Sequence, residues 1–302
     1  MKSIAICICT YKRYDGLNNL LRELIEIQKP DDFKINIIVV DNDPAGSASG
    51  IQQEFNGVEY FIENDVGVSS ARNRAVEEAR KLNADIIAFL DDDEIPTQNW
   101  LVEMLSTLEE YRADVVAGPV IATLPAELKG FSRFMLRKRH ATGTPIEYWG
   151  AGNVLLRAEV FDKVGLFSPD YSRLGGEDTQ FSARCAKQNL RMVWSDAATV
   201  FEPTDATRAN PKWLIERAYN KGRIIVKVER ELGGSSLSRR IAVALVYLLV
   251  GLLGWPLSWM IDRILATRYN LASSIAVNKG FGMIKELANR EKLKTSNVFK
   301  NI

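Results

Sequence analysis

Short, wholly apolar runs alternate along this chain with stretches in which apolar residues recur every third or fourth position. Residues 4–9 form the first such run, and Leu17, Leu20, Leu21, Leu24 and Ile25 follow at helical spacing. Residues 35–40 and 58–62 continue the strand series with a short helix between them. A helix capped by Ser69 or Ser70 and reaching about Leu82 comes next. Residues 85–90 make another strand, 98–111 a helix carrying Leu101, Leu105 and Leu108, and 114–120 a further strand. An uninterrupted apolar run reads as a strand buried on both faces of a parallel sheet, and a 3.6-residue period as a helix laid against it. Alternation at these intervals predicts a doubly wound, mostly parallel α/β layer flanked by helices.

From 121 to 150 the periodicity weakens. Residues 152–157 and 191–194 then read as strands, and Gly175-Gly176-Glu177-Asp178 opens an amphipathic helix reaching about Gln188. Pro211 suits the first turn of a helix running towards Glu231. Gly233-Gly234-Ser235-Ser236 predicts a boundary between a catalytic domain over 1–232 and a C-terminal tail over 233–302. In that tail residues 241–261 carry no charge, and their length and composition fit a membrane-spanning helix. Gly251 and Gly254 beside Trp255-Pro256, with Trp259 further on, fit equally well a kinked pair of helices lying in the membrane interface. A helix buried in a soluble core is the third reading. Basic residues on both sides (Arg239 and Arg240, then Arg263 and Arg268) leave the orientation open.

A length of 302 residues accommodates one large α/β domain and an appendage. With 46% hydrophobic and 25% charged residues the chain is a folding one, which excludes intrinsic disorder. A net charge of +1 provides no electrostatic case for a nucleic-acid partner. Cys7, Cys9 and Cys185 lack metal-ligand spacing, and Cys7 and Cys9 lie on one face of a strand, unsuited to a mutual disulfide. A reducing, cytoplasmic compartment is therefore expected. The amino terminus turns polar too soon for a secretory signal and reads as the first strand.

Candidate chemistry collects where predicted strands end: Thr10 to Arg13, Asp41-Asn42-Asp43, and Asp91-Asp92-Asp93 followed by Glu94. The carboxyl ends of parallel strands share one edge, where ligands of open α/β sheets bind, so these clusters should converge. Adjacent carboxylates repel and raise one another's pKa unless a positive charge is shared among them. A hard cation such as Mg²⁺ or Mn²⁺, arriving with a phosphorylated substrate, is the natural neutraliser. The alternative is a solvated acidic loop ahead of the helix near Thr97. Arg72 in a first helical turn is disfavoured by the macrodipole, which makes sense if it faces an anion; otherwise it is an exposed arginine. Glu177 and Asp178 suit a helix start on electrostatic grounds alone. The basic, aromatic segment 131–140 could meet lipid head groups or phosphates, or form a solvated face.

Five pieces taken together resemble the family 2 glycosyltransferases, which invert the anomeric centre and have the GT-A fold. They are Ile-Cys-Thr-Tyr-Lys-Arg at 8–13, Val-Val-Asp-Asn-Asp at 39–43, Ser-Ala-Arg-Asn-Arg-Ala at 70–75, Phe-Leu-Asp-Asp-Asp-Glu at 89–94 and Gly-Gly-Glu-Asp-Thr at 175–179. The likeness is to the succinoglycan-type glucosyltransferases of bacterial exopolysaccharide assembly, and it extends through Glu202-Pro203 and residues 208–214. The resemblance implies that Asp41 bonds the donor's base, with Thr10 and Arg13 helping to hold the nucleotide. It places Arg72 near the diphosphate, Asp92 against the ribose, Asp93 on a divalent cation, and Asp91 in the same donor site without a definite role. Asp178 would be the general base towards the acceptor hydroxyl and Glu177 would position that acceptor. Trp149 and Asn153, in Trp149-Gly-Ala-Gly-Asn153, would line the sugar site, with the indole as a stacking platform or as buried core.

The chain departs from the family pattern at Phe201, where many relatives carry a histidine before Glu-Pro; the one histidine here is His140. Asp93 would then hold the metal with the phosphates alone, or Glu202 would contribute, or metal dependence would be weaker than usual in the family. The Gln-x-x-Arg-Trp signature of processive synthases is missing, so one sugar per encounter is expected. The implied reaction moves a hexose, glucose from UDP-glucose first, onto a lipid-linked oligosaccharide at the cytoplasmic face of the bacterial inner membrane. Two alternatives compete. A sugar-phosphate nucleotidyltransferase would need a Gly-rich, Arg-containing loop after the first strand, and Thr10-Tyr-Lys-Arg-Tyr-Asp is not one. A membrane-tethered scaffold that has lost catalysis would be indifferent to Asp178→Asn.

Overall fold

The computed structural model describes residues 1–172, 174–233, 237–265 and 269–289, with side chains for all of these except 237, 257–265 and 269–270. Two compact units divide the chain, Met1–Asp205 and Ala206–Ile302. The first unit contains strands β1 (Lys2–Thr10), β2 (Phe33–Asp41), β3 (Val58–Ile62), β4 (Ile86–Asp91), β5 (Ile95–Pro96), β6 (Val115–Ala117), β7 (Val120–Thr123), β8 (Asn153–Arg157), β9 (Met192–Trp194) and β10 (Val200–Pro203). Its helices are α1 (Tyr14–Glu26), α2 (Ile51–Glu54), α3 (Val68–Lys81), α4 (Trp100–Glu110), α5 (Ser132–Met135), α6 (Val160–Val164) and α7 (Glu177–Lys187). The main sheet runs β3-β2-β1-β4-β8-β6-β9, and β5-β10-β7 form a small second sheet. Within the main sheet only β8 runs against its neighbours, β4 and β6.

The central strands have no polar interruption because they feed two cores at once. Ile4, Ile6 and Ile8 of β1 and Ile86, Ala88 and Leu90 of β4 pack into one, with Leu17, Leu20, Leu21 and Leu24 of α1 and Trp100, Leu101 and Met104 of α4. Ala5, Cys7, Ile87 and Phe89 pack into the other, with Ala71, Ala75 and Val76 of α3 and Phe181 of α7. Successive strand residues point to opposite faces. Each fully buried Ile, Leu or Phe side chain contributes roughly 1.5–3 kcal/mol, which explains the selection of apolar residues at both parities.

Three predicted boundaries shift, each for a local reason. The strand expected over 114–120 divides into β6 and β7, which join different sheets. Gly118-Pro119 makes the break, and a methyl group on Gly118 would lie 2.3 Å from the Ala198 carbonyl oxygen. Helix α3 starts at Val68 after Gly67, whose φ of 153° and tight fit against Ser172 suit glycine. Ser69 is therefore inside the helix, where its hydroxyl donates to the Ser168 carbonyl instead of capping. The strand expected from 152 begins at Asn153 and is the reversed one, an orientation that apolar periodicity does not encode.

The second unit consists of α8 (Pro211–Glu231), α9 (Leu237–Leu265) and α10 (Tyr269–Ala288). Asn210 caps α8, its Oδ1 accepting the Trp213 N–H at 3.0 Å. Glycines let the helices approach closely: a methyl on Gly282 would lie 2.0 Å from the Tyr219 carbonyl oxygen, and one on Gly251 2.8 Å from that of Ser273. Val226, Ala244 and Met283, one from each helix, form the buried centre. This packing groups α8 with the tail, whereas the Gly-Ser stretch had set the boundary after it; Gly234, Ser235 and Ser236 lie outside the described residues. α9 continues through Pro256, without the break that the kinked-pair reading places at Trp255-Pro256. Ser238–Pro256 within it is long and apolar enough to cross a membrane, and only 17% of the most apolar window is buried. The side chain of Trp259 and the whole of Arg268 fall outside the described residues.

Candidate active site

Parallel register brings the strand-end clusters together. Thr10 stands opposite Asp41 across β1 and β2, and Cys9 opposite Asp91 across β1 and β4. The acidic turn after β4 is closed on itself. The Asp91 N–H donates to Glu94 Oε2 at 3.0 Å, and the Glu94 N–H donates to the Asp91 carbonyl at 3.1 Å. Asp92 and Asp93 are the residues this turn presents. Thr10 Oγ1 donates to Asp92 Oδ2 at 2.7 Å, and Arg13 Nη1 donates to Asp92 Oδ1 and Asp93 Oδ2, both at 3.0 Å. Burial raises the Asp92 carboxyl above its ordinary range, against the pull of Thr10 and Arg13. Burial alone would lower the Arg13 guanidinium, but Asp92 and Asp93 beside it outweigh that and raise it. Burial also pushes Glu94, 1% exposed, well up, with the neighbouring Asp91 charge adding to it.

A second cluster faces this turn across the sheet edge. Arg72 is 6% exposed and donates to Glu177 Oε1 through Nη1 and to Asp91 Oδ1 through Nη2, the latter at 3.2 Å. The resemblance places Arg72 near a diphosphate; in the structure its guanidinium ties the end of β4 to the start of α7. Burial raises the Glu177 carboxyl while the Arg72 charge opposes it, leaving it above its ordinary range. Burial works against the Arg72 cation, yet Glu177 and Asp91 raise it overall. Glu177 is buried inside this bridge, whereas Asp178, the next residue, is half-buried. Asp178 Oδ1 accepts the Thr179 N–H at 2.6 Å, and a methyl on Gly150 would lie 3.6 Å from Oδ2. Gly175 and Gly176, with φ of 80° and 85°, make the left-handed approach that sets both acids at the helix start. The loop before them is pinned by Asn73, whose side chain exchanges two hydrogen bonds with the backbone of Phe167.

The remaining predicted site residues are placed differently. Asp41 is fully buried, and its carboxylate accepts the N–H groups of Asp43 and Ala48 and the Tyr60 hydroxyl at 2.9, 2.7 and 2.8 Å. It organises the loop after β2, so a base contact would have to share an already occupied group. Asn153 is corrected outright. Its amide donates to the Pro119 and Ala198 carbonyls and its Oδ1 accepts from the Trp100 indole, which uses it as a buried cross-link rather than a sugar ligand. Trp149 is core, packed edge-on to Phe181 at 5.7 Å, which removes the exposed face that stacking on a sugar needs. The basic segment is largely tied down: Arg137 donates to Glu202 at 2.5 Å, Arg139 binds Asp196 through two bonds of 2.9 Å, and His140 meets the Trp194 ring. Glu202 is thereby committed to Arg137.

Sequence reasoning left Asn42, Asn73 and Glu94 inside their motifs without a role and missed Tyr60. Asn42 Oδ1 accepts the Gly67 N–H and its amide donates to the carbonyls of Glu63 and Asp65, which fixes the entry to α3. Glu94 was visible as the fourth acid of its run, but nothing local marks which acid turns inward. Among the described residues no three His, Cys, Asp or Glu side chains are grouped to hold a metal. Asp93, 22% exposed at its side chain, still fits Mg²⁺ or Mn²⁺, which are bound by one or two carboxylates with phosphate oxygens and water supplying the rest.

Comparison with known proteins agrees with this architecture. The family model described as glycosyl transferase family 2 matches residues 5–165, and that of glycosyl transferase family group 2 matches 86–278. The succinoglycan biosynthesis protein ExoM of Rhizobium meliloti (strain 1021) is 31% identical over 237 residues, covering 72% of each chain. The glycosyltransferase AglE of Haloferax volcanii is 26% identical, covering 84% of this chain and 82% of its own. Among solved structures, the mannosyltransferase PcManGT from Pyrobaculum calidifontis, in complex with GDP-Man and Mn²⁺, superposes with a TM-score of 0.65 at 16% identity, covering 95% of this chain and 88% of its own. TarS of S. aureus in complex with UDP gives 0.53 at 14%, covering 94% and 91%. With the GT-A fold shared and the family model matched over more than half its length, this chain belongs to glycosyltransferase family 2 and is a glycosyltransferase.

Proposed function

We propose that the enzyme moves a single hexose, glucose from UDP-glucose, onto a lipid-linked saccharide during bacterial surface polysaccharide biosynthesis, with inversion at the anomeric carbon. The observation that carries this reading is the facing pair of clusters at one sheet edge: Asp92, Asp93 and Arg13 on the donor side, Asp178 on the other. The similarity to a succinoglycan biosynthesis protein and the UDP complex of a neighbour support the substrate class.

On this reading Thr10 and Arg13 orient Asp92 towards the ribose, and Asp91 and Asp41 hold the surrounding loops. Asp93 is the protein ligand of a divalent cation, Mg²⁺ or Mn²⁺, which when bound neutralises charge growing on the departing diphosphate. Asp178 takes the proton from the acceptor hydroxyl, as a half-buried carboxylate within hydrogen-bond reach can. Glu177, locked by Arg72, positions Asp178 rather than the acceptor. One displacement needs no covalent nucleophile, hence inversion. The test is transfer from a panel of radiolabelled nucleotide sugars to membrane lipid extracts. Transfer of glucose from UDP-glucose that falls at least about a hundredfold in Asp93→Ala and on chelation by EDTA supports the reading. Transfer indifferent to both overturns the metal assignment, and a different preferred sugar overturns glucose.

On this reading the enzyme attaches to the cytoplasmic face of the membrane through α9; the exposed Val246, Leu249, Val250, Leu253 and Trp255 support the attachment. The full chain is expected to sediment with membranes through both high salt and carbonate washes. Release by salt alone would overturn an apolar anchor.

A further inference from the structure

We propose that Glu94 is a positioning residue of this site, holding the turn that presents Asp92 and Asp93 in register with the loop that borders Asp178. The inference rests on the donor-side reading of Asp92 and Asp93 given above.

Glu94 is 1% exposed, although a carboxyl group is rarely placed so deep without a task. Its two ends close the same turn: the backbone N–H reaches the Asp91 carbonyl, and the side-chain Oε2 accepts the Asp91 N–H. Both bonds tie together the ends of the turn that carries Asp92 and Asp93. The other oxygen of Glu94 faces the second loop. A methyl group on Gly152 would lie 2.4 Å from Glu94 Oε1 and 2.8 Å from Asp91 Oδ2, so the two carboxyl groups meet the backbone there with no room for a side chain. Two residues earlier in the same loop, a methyl on Gly150 would lie 3.6 Å from Asp178 Oδ2. Glu94 therefore touches the loop whose other part borders the candidate base. A displacement of about 1 Å in such a site costs roughly a hundredfold in rate, which is the scale on which a contact of this kind matters.

The geometry makes Glu94 and Gly152 two handles on one contact, and a double-mutant cycle separates positioning from general damage to the fold. The full-length Glu94→Ala, Glu94→Gln, Gly152→Ala and Glu94→Ala/Gly152→Ala proteins are compared with wild type. Two readouts are used: hydrogen exchange at the Asp91 amide, and kcat and KM for whichever nucleotide sugar the wild type turns over. Glu94→Ala is expected to speed exchange at Asp91 and to lower kcat/KM about ten- to a hundredfold. Glu94→Gln retains an amide oxygen at the same place and is expected to restore both to within about threefold. Gly152→Ala, by forcing the Glu94 carboxyl aside, should lower kcat/KM in the wild-type background and add less to Glu94→Ala, where the clash with Glu94 is gone and that with Asp91 Oδ2 at 2.8 Å remains.

Glu94→Gln as impaired as Glu94→Ala would overturn the proposal, because the role would then lie in ionisation. Full multiplication of the Glu94→Ala and Gly152→Ala effects would also overturn it, because the contact would not be shared. Faster exchange at Asp91 with unchanged kcat/KM in Glu94→Ala would show the turn to be irrelevant to catalysis. Silence of Asp93→Ala and Asp178→Asn in the same assay would instead discard the underlying site assignment.

Discussion

Asp178→Asn is expected to lower transfer by roughly a hundred- to ten-thousandfold, the span usually lost with a general base. The substitution is close to isosteric, and the amide oxygen can still accept the Thr179 N–H that the carboxylate accepts now at 2.6 Å. The left-handed glycines at 175 and 176 and the buried Glu177 next door are untouched, so the helix start should form as before. What the amide cannot do is take a proton. The expected pattern is thus a collapse of kcat with donor KM nearly unchanged, and a melting temperature within about a degree or two of wild type. Steady-state kinetics beside differential scanning fluorimetry measures both. Full activity in Asp178→Asn would remove this residue from the chemistry and hand the base role to another group.

Loss of Arg72 should cost the most stability of any single change in the site. Arg72 and Glu177 have side-chain exposures of 8% and 7%, and Asp91 completes the bridge. Arg72→Met would leave the Glu177 carboxylate buried with no opposing charge, a situation that typically destabilises by about 3–5 kcal/mol. Urea unfolding is expected to show the midpoint falling with the slope unchanged, since the surface exposed on unfolding stays nearly the same. Adding Glu177→Met should recover much of the loss, because two apolar side chains of similar volume can replace a buried pair at little net cost. Activity should not return with stability, since Asp178 would then follow a helix start no longer tied to β4. Additive losses in the double variant would mean that Arg72 acts on something other than Glu177.

Much of the first unit can be read from residue order. The uninterrupted parity of β1 and β4 specifies strands with a core on each face, and the spacing of Leu17, Leu20, Leu21 and Leu24 specifies which helix face meets one of them. Parallel strands then place Thr10, Asp41 and Asp91 on one edge, as register confirms. The reversed β8 and the division of 114–120 between two sheets are not legible. Strand direction and sheet membership depend on which neighbours have an open edge, and the apolar pattern is the same either way.

The polar residues divide along the same line. Their types and order along the chain were sufficient to identify the family and to nominate the acids at 91–93 and 177–178. Their partners were not, because a hydrogen bond between residues 105 apart, such as that joining Arg72 and Glu177, depends on packing rather than on sequence spacing. Asn153 reads by position as a sugar ligand and Trp149 as a stacking platform or core; the structure makes them a buried cross-link and a core ring, since polar and aromatic groups satisfy themselves wherever folding brings a partner within reach. Glu94 is the converse, an acid grouped by its run with the candidate ligand-binding carboxylates and turned inward by burial. Sequence by itself determined the layer, the edge and the chemical class. Tertiary structure decided which side chains at that edge remain available to a ligand and which are already used to hold it in shape.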